Sequence, residues 1–410
     1  MSDERDVELG AALRALPTPE HRPGFWEELE ERLASESPPG SGGRRRDRRD
    51  GRRPFPGPVL LAIAAAVAVL VGAVAVLLPD DREGTRVVTN PTTTTTAPPD
   101  YRPGPEQSLG AGTVVGVSGD GTAALVVGPD PSSDERGCEG TGATALFAAP
   151  LDGGARRPSV ADAGALTGQL LRSRADPARV AVVSVCEEFL SAAYVAREGA
   201  GGVFTVVTPI PRSAIDGLIA QFEWSADGAR LLAVVSGSWD VVKVDPSTGA
   251  RETVLPAADA FRAAELADGT LAVLTRDGRL RLGDEVLDIA GVDLVVSPDG
   301  GGLAVHGPDG LFLVAPGSTR RLVTGPVAAV SWSPDGRALA VTGQSSDVAG
   351  GPLSIVTQDG AVTEVAAGGV LGAAWFAPDG RALAFTRIEP GEGDGEAAVA
   401  REQAVLVRFP

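Results

Sequence analysis

The sequence predicts an all-β fold of repeated four-stranded units, preceded by one membrane-spanning helix and a short helical arm. Three observations predict it. A Trp-Ser-Pro-Asp-Gly segment followed by small apolar residues begins at Trp332 and returns, as Trp-Phe-Ala-Pro-Asp-Gly, at Trp375. An uncharged apolar stretch occupies residues 59–78, and a tract rich in Thr and Pro follows it. A repeat spaced by tens of residues indicates an array of similar small units.

Each copy of the repeat has the pattern of a β-hairpin. Weaker copies begin at Trp224 and Val296, and in all four copies a short apolar run leads to Asp-Gly before a second run of Val, Leu and Ala. Because Gly tolerates positive φ and Asp caps the turn with its side chain, the pattern predicts two antiparallel strands. We interpret the turn residues as structural rather than as binding residues. They are Asp227, Gly228, Asp299, Gly300, Asp335, Gly336, Asp379 and Gly380.

The spacing of the units predicts a β-propeller over residues 109–410. Seven turn acids anchor candidate units at separations of 56, 51, 41, 31, 36 and 44 residues, and these scatter around the length of a four-stranded blade. Seven blades are therefore expected. Six and eight blades stay open as alternatives, because the first two anchors lack the Ser-Pro-Asp-Gly form. The anchors are Asp120, Asp176, Asp227, Asp268, Asp299, Asp335 and Asp379.

The last blade lacks a strand. Its three candidate strands lie near residues 372–376, 381–387 and 404–409, after which the chain ends. We expect a strand from the other end of the domain to complete it. The candidates are residues 86–89 and a segment just before Val114.

The repeat resembles the TolB-type branch of WD-repeat-like β-propellers. The match is good over about residues 222–386 and weak over residues 109–208. The resemblance implies the propeller fold. It says little about function, because propellers serve as enzymes, scaffolds and receptors alike.

The apolar stretch predicts a transmembrane helix at residues 58–79. Residues 59–78 carry no charge, and 20 residues at roughly 1.5 Å each span about 30 Å, the thickness of the hydrocarbon core. The alternative is a cleaved signal peptide, since residues 73–75 read Ala-Val-Ala. The 58 residues before Val59 and the length of the stretch favour an uncleaved anchor.

Charge predicts the orientation of this helix. Seven Arg residues crowd the juxtamembrane segment 44–57, whereas the other flank begins with Asp80 and Asp81. Because basic flanks stay cytoplasmic, we expect a single-pass membrane protein with a cytoplasmic N-terminus and an extracytoplasmic propeller. Of the net charge of -18, -17 lies in the residues after the apolar stretch, and an acidic exterior part argues against nucleic acid as a partner. The single Lys beside many Arg, Ala and Gly indicates a high-GC bacterial genome.

Two features of the exterior part concern covalent structure. The Thr/Pro-rich segment 80–108 is low in apolar residues and is expected to be a linker, either bare or carrying O-linked sugar. Cys138 and Cys186 are the only cysteines, and an even count outside the cytoplasm favours a disulfide between them. Two buried free thiols are the alternative.

Residues 1–43 form the predicted cytoplasmic arm, with two short amphipathic helices separated by Pro17 and Pro19. An arm of this kind before a single span resembles transmembrane anti-sigma regulators. The zinc-binding version of that family uses His-x-x-x-Cys-x-x-Cys, whereas this arm has His21 and no Cys. The alternative is a weakly structured tail. The residues expected to contact a cytoplasmic partner are Leu13, Leu16, Phe25, Trp26, Leu29 and Leu33.

The sequence favours a non-catalytic protein without a cofactor. The exterior part has one histidine, His306, in a predicted strand, and it contains no Gly-x-Ser-x-Gly elbow, phosphate loop or metal-ligand spacing. Acidic residues instead concentrate in three long connections between second and third strands and near Cys186. We expect these to form one sector that binds a cationic partner or, weakly, Ca²⁺, with a merely solvated surface as the alternative. The sector comprises Asp130, Asp134, Glu135, Glu139, Glu187, Glu188, Glu389, Glu392, Asp394 and Glu396.

Two classes of function follow. The first is an exported binding or scaffold module that docks a protein, a peptide or an envelope polymer. The second is a signalling regulator, in which the propeller senses and the arm holds a cytoplasmic partner. We prefer the first, because its support covers most of the chain.

Overall fold

A computed structural model describes residues 100–129, 144–159, 168–186, 189–344, 350–389 and 401–410. The predicted arm, the predicted transmembrane helix and most of the predicted linker lie outside these residues. Within the described part of the chain, no helix is long and apolar enough to cross a membrane.

The chain enters the fold through β1 (Gln107–Ala111), which joins the last sheet, and then forms five four-stranded antiparallel sheets in sequence order. A one-turn helix α1 (Arg212–Ile215) precedes the third of them. Sheet 1 contains β2 (Thr113–Val117), β3 (Ala123–Pro129), β4 (Thr144–Pro150) and β5 (Arg157–Pro158). Sheet 2 contains β6 (Gly168–Arg172), β7 (Arg179–Cys186), β8 (Phe189–Glu198) and β9 (Phe204–Pro209). Sheet 3 contains β10 (Leu218–Trp224), β11 (Leu231–Val235), β12 (Val241–Val244) and β13 (Arg251–Leu255). Sheet 4 contains β14 (Ala260–Glu265), β15 (Leu271–Thr275), β16 (Leu280–Leu282) and β17 (Glu285–Leu287). Sheet 5 contains β18 (Asp293–Val296), β19 (Leu303–Gly307), β20 (Gly310–Ala315) and β21 (Ser318–Thr324).

The remaining strands form one seven-stranded sheet in the order β1-β27-β26-β25-β24-β23-β22. The long strand β25 is shared: its first half pairs with β24 and its second half with β26, and Val370 pairs with both Gly351 and Arg387. The expectation of seven separate four-stranded blades is corrected accordingly, because β25 runs on without a break where two blades would separate. The structure has five separate four-stranded blades and this larger sheet. Its strands are β22 (Val327–Trp332), β23 (Ala338–Gly343), β24 (Gly351–Thr357), β25 (Val362–Phe376), β26 (Ala382–Glu389) and β27 (Arg401–Arg408).

The apolar cores lie between neighbouring sheets and close a ring. Sheet 1 packs on sheet 2, and each following sheet packs on the next through buried aliphatic side chains. The seven-stranded sheet bends at β25, so that Leu353 on one side packs with Phe385 on the other. Its last strands return to sheet 1, where Leu406 packs with Val114. This cyclic packing of antiparallel sheets is the β-propeller that the repeat predicted.

The closing strand confirms the prediction that a segment just before Val114 completes the last sheet. Strand β1 pairs antiparallel with β27, with Gln107 opposite Leu406. Upstream of it, Tyr101 is buried and packs edge-on against Phe376 and Phe409, with ring centroids 6.1 and 5.5 Å away. The other candidate, residues 86–89, lies outside the described residues.

Candidate functional site

The recurring turns join the first two strands of their hairpins, as the sequence predicted. In three of them a serine hydroxyl donates to the aspartate two residues later, and the aspartate also accepts a backbone N–H from the residue two positions beyond it. The serine-to-aspartate distances are 2.6 Å for Ser225–Asp227, 2.6 Å for Ser297–Asp299 and 2.7 Å for Ser333–Asp335. The fourth turn has Ala377 in place of the serine, and among the described residues Asp379 accepts only the N–H of Arg381, at 2.9 Å.

The turn glycines also bring neighbouring sheets together. Gly228 and Gly300 have φ values of 66° and 71°, a region that disfavours other residues. A Cβ atom on Gly228 would lie 2.4 Å from the hydroxyl of Ser173 in sheet 2, and one on Gly300 would lie 2.7 Å from Ala267 in sheet 4. The turns of sheets 3 and 5 therefore rest on residues that follow the first strands of the preceding sheets. Gly336 and Gly380 occupy the same place in their turns, with φ of 71° and 70°.

The tryptophan of the repeat connects sheets as well. The indole N–H of Trp224 donates to the carbonyl of Leu171 at 2.9 Å, and that of Trp332 donates to the carbonyl of Val295 at 3.0 Å. In both cases the acceptor belongs to the first strand of the preceding sheet. These residues shape turns and cores.

Hydrogen bonds favour the ionised form of Asp227 and Asp299. The hydroxyl of Ser225, followed by the N–H of Ala229, lowers the pKa of Asp227 below its ordinary value, and Ser297 has the same effect on the pKa of Asp299. Asp120, which lacks the full motif in sequence, accepts a hydrogen bond from Ser118 at 2.7 Å. The first sheet therefore repeats the same turn.

A second group of polar residues lies around the first strands of sheets 3, 4 and 5, which contact one another around the ring. Glu223, Arg262 and Asp293 lie on these strands, Arg174 follows β6, and His306 lies on the second strand of sheet 5. We call Arg174, Glu223, Arg262, Asp293 and His306 the inner polar cluster. The guanidinium of Arg262 contacts Asp293, with Nε 3.0 Å from Oδ1 and Nη2 donating to Oδ2 at 3.2 Å. The angle at Nε is poor for a hydrogen bond, so the Nη2 bond carries the pairing. His306 is the next member of the inner polar cluster.

His306 lies in β19, as predicted, and is 2% exposed. Its Nε2 is 3.9 Å from Asp293, and its Nδ1 is 3.2 Å from the carbonyl oxygen of Val327. Burial lowers the pKa of His306, against the opposing effect of Asp293. The neutral ring therefore serves as a bridge between sheet 5 and β22.

Glu223 is the least satisfied carboxyl of the inner polar cluster. Burial raises the pKa of Glu223, and the nearby Arg174 opposes that shift. Its one hydrogen bond within the described part of the chain comes from the N–H of Trp224 at 3.3 Å. This cluster was not predicted from the sequence. The available signal was a charged residue within an apolar strand, as in Phe222-Glu223-Trp224.

The predicted acidic sector lies almost entirely outside the described residues. Glu389 is the exception: it is exposed at the end of β26, opposite Arg401. The connections between β3 and β4, between β23 and β24, and between β26 and β27 contain residues 130–143, 345–349 and 390–400. The other members of the sector lie within these connections or between β7 and β8. They are Asp130, Asp134, Glu135, Glu139, Glu187, Glu188, Glu392, Asp394 and Glu396.

The remaining predicted sites are not tested by the described residues. Cys186 ends β7, but Cys138 lies outside them, so the disulfide stays a prediction. The apolar residues of the arm, from Leu13 to Leu33, also lie outside. Among the residues that the structure describes, no group of three or more His, Cys, Asp or Glu side chains is arranged to hold a metal ion.

Comparisons with known proteins give structural likeness alone. No protein-family model matches the chain, and no curated protein matches it in sequence. The C-terminal WD40 domain of Sif2 is similar at 10% identity, with a TM-score of 0.46, over 74% of this chain and 98% of that one. An oligogalacturonate lyase in complex with manganese is similar at 15% identity, with a TM-score of 0.49, over 77% and 96%. An oligogalacturonate lyase from Vibrio parahaemolyticus gives 12% identity and a TM-score of 0.48, over 74% and 93%.

Proposed function

We propose that this chain is a membrane-anchored, extracytoplasmic β-propeller of the bacterial envelope that acts as a non-catalytic binding or scaffold module. The observation that carries the proposal is where the chain enters the ring. The predicted linker, residues 80–108, overlaps the first two residues of β1, and β1 is built into the edge of the last sheet. The apolar stretch at residues 59–78 would thus hold a closed ring at a distance from the membrane.

The topology is tested by protease treatment of intact cells, followed by detection of both ends of the chain. We expect the protease to remove the propeller and to leave a small membrane fragment that retains Met1. The basic flank at residues 44–57 is the reason for this orientation. A soluble product that starts near Ala75 would contradict the anchor, because it would show cleavage of the apolar stretch as a signal peptide.

The binding surface in this proposal is the acidic sector, and its partner is cationic: a basic protein segment or, weakly, Ca²⁺. Its connections join second to third strands, which fall on one face of a propeller, and the carboxylates would attract a cation with a strength that falls as salt rises. The test replaces four acids together and measures binding of a Lys-rich peptide and of Ca²⁺ at low and high salt. The four changes are Asp130→Asn, Glu135→Gln, Glu392→Gln and Asp394→Asn.

We expect weaker binding by the fourfold variant and an unchanged melting temperature. Peptide binding that ignores both the substitutions and the salt concentration would place the working surface elsewhere. The control is a second fourfold variant in which four acids outside the sector are neutralised. It changes the net charge by the same amount and leaves the sector intact. The aspartates of the repeat turns are avoided, because their carboxylates stabilise the turns. The four neutralised residues are Asp284, Glu285, Asp288 and Glu364.

The second candidate is a transmembrane signalling regulator, favoured by the amphipathic pattern of the arm. Phe25, Trp26, Leu29 and Leu33 share one face of a predicted helix whose other side is rich in Glu. This regulator hypothesis is tested by a capture experiment in which residues 1–57 serve as bait. The matched control is the same segment carrying Trp26→Ala and Leu29→Ala. Reproducible retention of a sigma factor or kinase by the natural arm alone would favour the regulator. Full function after deletion of the arm would favour the binding module.

A further inference from the structure

A cleft lies between the outer strands of sheet 2 and the turn that joins β12 to β13 in sheet 3. Its volume is about 270 Å³, far more than one ordered water needs and just below the usual range for small-molecule sites. Buried Val195 and Pro246 give it apolar surface. The polar residues of its lining include Asp176, Arg179, Arg197 and Thr208. The cleft therefore has room for a small organic molecule.

The two arginines of the cleft lie side by side on sheet 2. Arg179 in β7 is directly opposite Arg197 in β8. Their neighbours two positions along the strands, Ala181 and Val195, belong to the core shared with sheet 3, so both arginines lie on the face toward sheet 3. Like charges directly opposite each other in a ladder are destabilising. An anion bound between the two guanidinium groups would offset that repulsion.

Arg197 has a carboxylate partner, whereas Arg179 has none among the described residues. Nη2 of Arg197 is 3.1 Å from Oδ2 of Asp176, and these side chains are 61% and 42% exposed. The guanidinium of Arg179 lies 4.8 Å from the centre of the Trp224 ring, and its Nη1 donates to the carbonyl of Gly228 at 2.8 Å. Within the described part of the chain, Arg179 forms no ion pair within 4.0 Å and donates no other side-chain hydrogen bond. Arg179 is thus held in position, and its charge is available to a ligand.

We propose that this cleft binds a small organic monocarboxylate, with its carboxylate on Arg179 and Arg197 and its apolar part against Val195 and Pro246. The planar carboxylate matches the donor geometry of a guanidinium. Because Asp176 compensates one of the two positive charges, one net positive charge remains, and it suits a monoanion better than a dianion. This site is separate from the acidic sector and does not depend on the membrane placement proposed above.

The test measures binding of isovalerate to the full-length chain in detergent by isothermal titration calorimetry at constant ionic strength. Isovalerate carries a carboxylate on a short branched aliphatic group, and isovaleramide is the uncharged control of the same shape. We expect saturable binding of isovalerate, binding of isovaleramide weaker by about tenfold or more, and weaker binding of inorganic phosphate. No saturable binding of isovalerate, equal binding of acid and amide, or tighter binding of phosphate would overturn the proposal.

Charge substitutions locate the site. Arg179→Gln should raise the dissociation constant of isovalerate by about tenfold or more, which corresponds to the loss of one charge-assisted hydrogen bond. Asp176→Asn should lower that constant, because Arg197 then loses its competing carboxylate. Arg276→Gln is the matched control, since Arg276 also lies over an indole, 4.3 Å from the centre of the Trp239 ring, but does not line the cleft. Unchanged affinity in Arg179→Gln, or weaker binding by Asp176→Asn, would show that the proposal is wrong.

A variant that fills the cleft guards against misfolding of Arg179→Gln. Thr208 is opposite Val195 in the ladder between β8 and β9, so its side chain lies on the face toward the cleft. Thr208→Phe keeps both arginines and adds a larger side chain that suits a strand. We expect this variant to retain the melting temperature of the natural chain within a few degrees and to lose isovalerate binding. Unchanged affinity in Thr208→Phe would place the bound carboxylate outside the cleft and would also overturn the proposal.

Discussion

The two sides of the ring are held together differently. On one side, the first strands of sheets 3, 4 and 5 carry Glu223, Arg262 and Asp293. On the other, β22 and the second half of β25 present buried Val330 and Ala374, with no charged residue in either segment. The charged side depends on pairings between separate sheets. The apolar side is one continuous sheet that is bent upon itself.

The two sides should therefore differ in how they respond to substitutions. Apolar packing tolerates many neighbours of similar volume, whereas a buried charge requires one particular partner at one distance. We therefore expect damage to the apolar side to unfold the ring, and damage to the charged side to weaken it while leaving the ring closed.

The largest effect is expected from removing residues 404–410. These residues form most of β27, which lies between β1 and β26 and buries Val405, Leu406 and Val407. Without them the closing strand has no neighbour, so the whole propeller should lose its cooperative unfolding transition. Circular dichroism during heating measures this. A shortened chain with the melting temperature of the natural one would show that β27 does not close the ring.

The next effect is expected from Asp293→Leu, which leaves Arg262 without its carboxylate. Breaking such a pair should lower the free energy of unfolding by about 2 kcal/mol, less than for a fully buried pair, because the two side chains are 24% and 33% exposed. Adding Arg262→Met should restore most of the loss by replacing the pair with apolar contacts. Urea unfolding of both variants measures it. A double variant no more stable than Asp293→Leu would mean that the pair is not the source of the effect.

The contrast also explains which parts of the fold could be predicted from sequence. The hairpins, the closing strand and the place of His306 depend on local patterns, such as Asp-Gly between two apolar runs. The partner of Arg262 lies 31 residues away on another sheet, and no local pattern identifies it. The sequence also does not show that β25 is one unbroken strand, for a related reason. Its Gly368-Gly369 pair resembles a break between blades, yet the strand continues through it, with irregular pairing to both neighbours.

A smaller effect, dependent on pH, is expected from Glu223→Gln. Because burial raises the pKa of Glu223 in the folded state, the carboxyl favours folding while protonated and loses that contribution as pH rises through the folded-state pKa. The neutral amide should therefore raise the melting temperature at pH 7, and the gain should disappear below the ordinary Glu pKa of about 4.3. Thermal unfolding across this range measures it. A gain in melting temperature that is the same at pH 7 and below the ordinary Glu pKa would exclude ionisation of Glu223 as its cause.

The smallest effect is expected in the turns, which provide a matched pair on the two sides of the ring. Ser297→Ala in sheet 5 removes a hydroxyl that donates to Asp299 at 2.6 Å and accepts the N–H of Gly302 at 3.0 Å. It should lower the free energy of unfolding by about 1–2 kcal/mol, the usual net contribution of one or two hydrogen bonds. The turn at Asp379 lacks this serine, so Ala377→Ser should add the missing bond. The site resembles its counterparts, since the N–H of residue 377 donates to the carbonyl of Ala382 at 2.8 Å, as that of Ser297 donates to Gly302 at 2.8 Å.

The gain from Ala377→Ser should be smaller than the loss from Ser297→Ala. Ala377 is buried against sheet 1, and part of the new bond must offset the desolvation of the added hydroxyl. Asp379→Ala provides the control, because the benefit of Ala377→Ser should vanish in its presence. If Ala377→Ser raises stability equally with and without Asp379, the added hydroxyl acts through packing. The missing hydrogen bond would then not be what makes the turn at Asp379 less stable than its counterparts.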